Sequence, residues 1–317
     1  MKSREFINKT KLISVICVCV FLQIGGRFST SAASLEQGTI LLSEILYKVE
    51  KGQSEFIEIY NAGEMEIPLS ALYLGVRDPQ TTLWKYYDLG AKASAILKEK
   101  AYYVLSRAPE NIGRMYKICE LDHFIRVPNL PALTDAGGTL ALFRKTDTML
   151  LEQMQYNEQM HHPLLDCTMG VSLERVQMTA SAMILENWHS AAQSVNYATP
   201  TCENSQHNEP QEDADEKWFS YSSDYISPNN DGQQDYLQLS YHLQLTNFIC
   251  TIRIYDSEGR MVRMLLNQAL LGTKEVLIWD GLDTKGRRLR AGMYIIFIEL
   301  IHTNGKRKVL KKAVGVL

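Results

Sequence analysis

The run YLQLSYHLQL at residues 236–245 alternates apolar and polar side chains for most of its length. A period of two sends alternate side chains to opposite faces of an extended strand, so one face of this run is expected to be buried. Short aliphatic and aromatic runs recur at 40–47, 54–61, 101–106, 138–144, 249–256, 275–281 and 293–302. The run MVRMLLNQALL at 261–271 fits a short helix or a strand and is read as a strand. Turn formers separate the runs: Lys51-Gly52, Asn61-Ala62-Gly63, Asp78-Pro79, Ala136-Gly137-Gly138, Ser257-Glu258-Gly259, Asp283-Thr284-Lys285-Gly286 and Thr303-Asn304-Gly305. Short strands punctuated in this way describe an all-β chain of sandwiches.

The division into domains follows from one stretch that cannot fold. QHNEPQEDADEK at 206–217 has no large apolar residue and five carboxylates, so it reads as a flexible acidic linker. It separates residues 34–205 from 218–317, each long enough for a core of its own.

The N-terminus indicates the compartment. Lys2, Arg4, Lys9 and Lys11 precede an apolar run, Leu12 to Ile24, and small residues follow at 29–33. That is the pattern of a secretory signal peptide covering residues 1–33, with cleavage expected after Ala33 and Ala32 as the alternative. The apolar run is too short to span a bilayer, and no longer one follows, so the mature chain is expected to carry no transmembrane helix. Cys17 lacks the flanking sequence of a lipoprotein cysteine. The whole chain has 33 basic and 36 acidic residues. Taking away the five basic and one acidic residues of 1–33 leaves 28 and 35, a net charge of −7. An acidic balance argues against nucleic acid as a partner.

Four cysteines lie beyond residue 33. Cys250 falls in phase with Phe248, Ile252 and Ile254, which makes it a buried thiol. At most one disulfide is then expected among Cys119, Cys167 and Cys202, with the pairing open.

Several ordered motifs resemble known families. Ser43-Glu44-Ile45-Leu46, Glu55-Phe56-Ile57-Glu58-Ile59-Tyr60-Asn61, the stretch 67–74, Asp135-Ala136-Gly137-Gly138-Thr139-Leu140-Ala141-Leu142, and the endings at 170–175 and 187–191 resemble bacterial lamin-tail domains. Cys202 stands where an aromatic residue is commoner in such domains. The resemblance covers about 170 residues and implies an Ig-like sandwich. Ser227-Pro228-Asn229-Asn230-Asp231-Gly232, Ile254-Tyr255-Asp256, Gly259-Arg260, Trp279-Asp280-Gly281 and Ala291-Gly292-Met293-Tyr294 resemble the Ig-like module of flagellar-hook capping proteins. They also resemble the C-terminal domains of gliding-motility-associated secreted proteins. That likeness implies an address for type 9 secretion, and the basic tail at 306–312 is compatible with it.

Candidate chemistry is sparse. Asn229, Asp231 and Asp235 gather oxygen ligands around Gly232, the start of a calcium loop. Position twelve of such a loop would be Gln238, not Glu, so a partial calcium turn is set against an Asx-type turn capping a strand. Glu55 and Glu58 point to opposite faces of a strand and cannot converge without a bulge, and Glu44 is expected to bond backbone or to sit at an exposed edge. His161-His162, followed by Pro163, is expected in a solvated loop. His123 and His189 could meet only through the fold, and Trp188 is expected to pack in a core. Lys285, Arg287, Arg288 and Arg290 read as a solvated hairpin face. No Gly-x-Ser-x-Gly, His-Glu-x-x-His or Walker loop occurs.

These features point to an exported, non-enzymatic binding or structural protein of the periplasm, outer-membrane surface or medium, with no cofactor apart from the calcium candidate. Its expected partners are envelope or surface proteins or glycans, and outer-membrane secretion machinery. One rival is a structural part of a secretion or gliding machine. Another is a hydrolase using Glu44, Glu58, His161 and His189.

Overall fold

The computed structural model describes residues 35–90, 95–208 and 218–317. The expected signal peptide lies outside the described residues. In chain order the first sandwich contains β1 (Ile40–Leu46), β2 (Phe56–Asn61), β3 (Ile67–Pro68), β4 (Leu72–Arg77), β5 (Trp84–Asp88) and β6 (Ile96–Leu97). It continues with β7 (Tyr102–Ser106), β8 (Phe124–Arg126), β9 (Gly138–Arg144), β10 (Leu150–Tyr156), β11 (Leu173–Arg175) and β12 (Trp188–Ser190). A six-stranded sheet in the order β12-β11-β1-β2-β7-β8 packs on a four-stranded sheet, β10-β9-β4-β5, and β3 pairs with β6. The core between the sheets holds Ile40, Leu42 and Ile45 of β1, Ile57 and Ile59 of β2, Leu74, Leu140, Leu142 and Trp188.

The second sandwich contains β13 (Phe219–Tyr221), β14 (Tyr225–Ile226), β15 (Leu237–His242), β16 (Phe248–Tyr255), β17 (Met261–Leu270), β18 (Lys274–Trp279), β19 (Gly292–His302) and β20 (Arg307–Val316). Three strands, β13-β15-β18, face five, β14-β20-β19-β16-β17. The chain is all-β as expected, and the helical elements among the described residues are three-residue turns.

Alternation explains the second core directly. Phe248, Cys250, Ile252 and Ile254 of β16 point inward with Ile296, Ile298 and Leu300 of β19, onto Leu237 and Leu239 of β15 and Trp279. Cys250 is therefore a buried thiol, as its phase requires. Residues 261–270 form a strand. β20 hides its period because lysines occupy inward positions. Lys308 lays its ammonium 3.7 Å from the ring centre of Trp218, and Lys312 lies 5.5 Å from that of Tyr221. Their stems cover aromatic surface while the charges reach water.

Two turns at one end of this sandwich repeat the same device. The carboxylate of Asp256 accepts the backbone N–H groups of Glu258 and Arg260 and the Nε of Arg260, and Asp283 does the same with Lys285 and Arg287. Each turn closes through a glycine at positive φ, Gly259 at +78° and Gly286 at +73°.

The first sheet departs from the simple pattern, because β1 is buried at every residue and β2 at nearly every one. Its outer face is covered as well. Ile112, Tyr116 and Ala198 pack there on Leu46, Phe56 and Val104. A strap, residues 196–206, lies beside them and is tied to the covering segment by a Cys119–Cys202 disulfide. Cys167 is a free, exposed thiol.

The strap corrects the expected start of the linker. Gln206 is fully buried, its Nε2 donating to the carbonyls of Ser190 and of Leu271, a residue of the second sandwich. Thr273 donates its N–H to Ser205 O and its hydroxyl to His207 O, and Asn208 donates to Gln244 O. A polar run is held in place here by hydrogen bonds to both sandwiches, which low hydrophobicity alone does not reveal. Residues 209–217 of the expected linker lie outside the described residues.

Candidate functional site

The most unusual chemistry lies under the strap. Strand register sets Glu44 of β1 opposite Glu58 of β2 on one side and Glu174 of β11 on the other. Cross-strand neighbours stand about 5 Å apart on one face. A bulge between Leu42 and Glu44 shifts the register of β1 and turns Glu44 to the outer face. The three carboxyl groups thus form a row across the sheet, and all are buried.

The strap supplies most of their hydrogen bonds. Glu44 accepts the N–H of Thr199 at 2.9 Å and the hydroxyl of Ser172. Glu58 accepts the N–H of Thr201 at 2.6 Å, and its Oε1 has no partner. Glu174 accepts the hydroxyl of Thr199 at 2.6 Å, that of Ser205 at 2.8 Å and the N–H of Gln206 at 2.9 Å. Among the described residues no ion pair involves these three. Burial, then the charge of Glu174, pushes Glu44 up to about 8. Burial, then Glu44, raises Glu58 well above its ordinary value, and burial raises Glu174.

Glu44 is therefore not at an exposed edge, although it does bond backbone as expected. Glu58 turns away from Glu55, whose carboxylate accepts the Leu133 N–H and pairs with Arg107. Glu174 was not among the residues singled out in the sequence. It stands in Leu173-Glu174-Arg175, inside the 170–175 ending, and only the pairing of β11 with β1 sets it opposite Glu44.

The histidines also differ from expectation. His161 and His162 are buried, not solvated. The hydroxyl of Ser190 lies 3.0 Å from His161 Nδ1 and accepts the N–H of His162. With Asn157, Trp188, His189 and Asn247 they line a cavity of about 370 Å³ between the sandwiches. His189 contacts the Asn247 amide at 3.0 Å. Burial lowers His161 and His189 to about 4, and His162 also falls. His123 stacks on Tyr103 at 4.2 Å, at the opposite edge of the sheet from His189. Trp188 packs in the core as expected and donates to Ala182 O. Among the described residues no cluster of three or more His, Cys, Asp or Glu is arranged to hold a metal ion.

The structure does bring Asn229, Asp231 and Asp235 together. Asp231 accepts the Gln233 N–H and the Asn229 amide, and Asp235 accepts the N–H groups of Asn230 and Gly232. All four carboxylate oxygens point at donors of their own loop, the geometry of linked Asx turns. Lys285, Arg287, Arg288 and Arg290 are exposed, and Arg287 pairs with Asp283.

Residues 220–314 match the CHU_C type IX secretion signal domain. That match marks the chain for export to the cell surface or secretion. FlgD from P. aeruginosa is 18% identical over 31% of this chain and 72% of that one, with a TM-score of 0.23. Dimeric latent PorU from Porphyromonas gingivalis is 10% identical over 88% of this chain and 20% of its own, at a TM-score of 0.25. PorZ, described as a surface component of the type IX secretion system of the same organism, is 10% identical over 86% and 30%, at 0.24. None of the curated proteins matches this chain. No helix among the described residues is long and apolar enough to cross a membrane.

Proposed function

We propose that this chain is an exported, non-enzymatic binding or structural protein of the cell envelope or surface. One observation carries the reading: a type IX secretion signal domain is joined to a sandwich whose carboxylate row is sealed from solvent. An address domain implies cargo, and the first sandwich is that cargo. Its lamin-tail character is supported by Ser43-Glu44-Ile45 and the motif at 55–61, which form paired strands. Catalysis by Glu44 and Glu58 would require a path for substrate, and the strap covers both. Envelope or surface proteins or glycans would be bound at strand edges and end loops.

A second reading, a permanent part of a secretion or gliding machine, is favoured by the bonds that fasten residues 205–208 to the second sandwich. Cell fractionation with intact-mass measurement separates the two. A surface or released chain lacking roughly residues 218–317 supports the address reading. A chain that begins at residue 34, retains the second sandwich and stays in the envelope supports the machine. Turnover of polysaccharide, peptide or phosphodiester by the purified chain would overturn both.

A further inference from the structure

The carboxylate row and the joint between the sandwiches share two residues. Ser205 Oγ and Gln206 N donate to Glu174, while Ser205 O and Gln206 Nε2 bond Thr273 N and Leu271 O of the second sandwich. Gly272 lies so close that a Cβ there would stand 2.6 Å from Ser205 O. Glu203 adds an ion pair to Lys274 at 2.8 Å. Whatever holds the strap down on the glutamates therefore also holds the joint.

We propose that Glu44, Glu58 and Glu174 form a protonation latch, which seats the strap and fixes the two sandwiches against each other while protons are shared along the row and releases both when the row ionises. Three carboxylates at neighbouring cross-strand positions repel one another once charged, and burial screens that repulsion poorly. Water then competes for them by lifting the strap. The Cys119–Cys202 disulfide keeps the lifted strap attached to the covering segment, so release is local.

The groups around the row do not supply the same titration. Tyr102 of β7 is held above its ordinary range by burial and then by Glu58, and Tyr116 of the covering segment is pushed up to about 12 by burial and then by Glu44. Tyr60 of β2 stacks on Tyr102 at 4.5 Å. His189 of β12 is neutral above about 4, and Glu203 of the strap is engaged by Lys274 and lies near His207. Glu44, pushed up to about 8, changes charge in mildly alkaline solution, and that charge adds to the row.

Hydrogen exchange on the full chain tests the latch, with rates corrected for the intrinsic effect of pH. Between about pH 6 and about pH 9.5 the protection of residues 199–206 is expected to fall at least about tenfold, while that of 293–302 holds. Small-angle scattering over the same range is expected to show the sandwiches moving apart. The triple variant Glu44→Gln, Glu58→Gln, Glu174→Gln should keep the strap protected at the higher pH. Equal protection of the wild-type strap at both pH values overturns the proposal, as does a triple variant that loosens like the wild type. A strap that loosens with no change in scattering overturns the link to the joint. If the triple variant does not fold, Glu58→Gln alone serves, because Glu58 Oε1 has no hydrogen bond to lose. It should move the transition to higher pH, and an unmoved midpoint counts against the latch.

Discussion

Arg175 and Glu152 form an ion pair inside the first sandwich, Nη1 to Oε1 at 2.8 Å, with both side chains almost wholly covered. They belong to adjacent layers: Glu152 lies on β10 of one sheet and Arg175 on β11 of the other. Both reach the β1 bulge, where Leu42 N–H donates to Glu152 and Leu42 O accepts from Arg175. Arg175 also donates to Gln177 O and Ala180 O. The pair thus satisfies backbone that the bulge removes from the ladder, and so helps set the turn that aims Glu44 at the outer face.

Arg175→Met should therefore be severe. It strands a buried carboxylate, already raised by burial in spite of Arg175, and takes a charged donor from Leu42 O, Gln177 O and Ala180 O, of which the last two keep the Asn187 amide. The expected loss is about 3–5 kcal/mol in urea unfolding. A loss below about 1 kcal/mol would show that the bulge holds without the pair.

The disulfide gives a second test. Cys119 and Cys202 close a loop with a sequence separation of 83. Cys119→Ser with Cys202→Ser is expected to cost about 2–5 kcal/mol. In the chain beginning at residue 34, a thiol reagent should modify Cys167 in the native state and Cys250 only after unfolding. Cys250 is buried, and its thiol is pushed up to about 12 by that burial and then by Glu299. Rapid labelling of two native thiols would contradict this.

On the acid side the histidines and the glutamate row act in opposite senses. Folding lowers His161 and His189 from 6.5 to about 4 through burial, so the unfolded chain binds more protons than the native one. Their contribution is complete above pH 6.5 and is lost as pH falls through 6.5 toward 4, on the order of 3 kcal/mol for His161. Urea unfolding at several pH values should show this loss as the difference between the wild type and His161→Gln with His189→Gln, because the raised glutamates bind protons over the same range with the opposite effect on stability. An unchanged slope in that variant would place the acid sensitivity elsewhere.

Gly272→Ala probes the joint without touching charge. The added Cβ would press on the backbone oxygen of Ser205, which is not the end of a flexible side chain. The expected cost is about 1–3 kcal/mol at every pH. A cost that appears only in acid or only in alkali would separate Gly272 from the contact with Ser205.

The strands that form the second core were legible because period-2 alternation is written in consecutive residues. β16 and β19 follow their runs closely, and Cys250 could be placed by phase alone. β5, β10 and β20 were not read as strands. In β20, lysines covering Trp218 and Tyr221 stand where aliphatic residues would reveal the period. In β5 and β10, exposed Lys85 and Gln155 stand among aromatic and apolar residues.

By itself the sequence determined the strand runs, the turn positions, the buried thiol and the upper limit of one disulfide, since each depends on residues near one another in the chain. The tertiary structure decided what covers each face. Alternation shows which side chains share a face but not whether water or another segment lies on it. Glu44, Glu58 and Glu174 meet through pairing of distant strands, and residues 196–206 turn that face into an interior. The same holds for His161 and His162, which became buried because Ser190 and the second sandwich close over them.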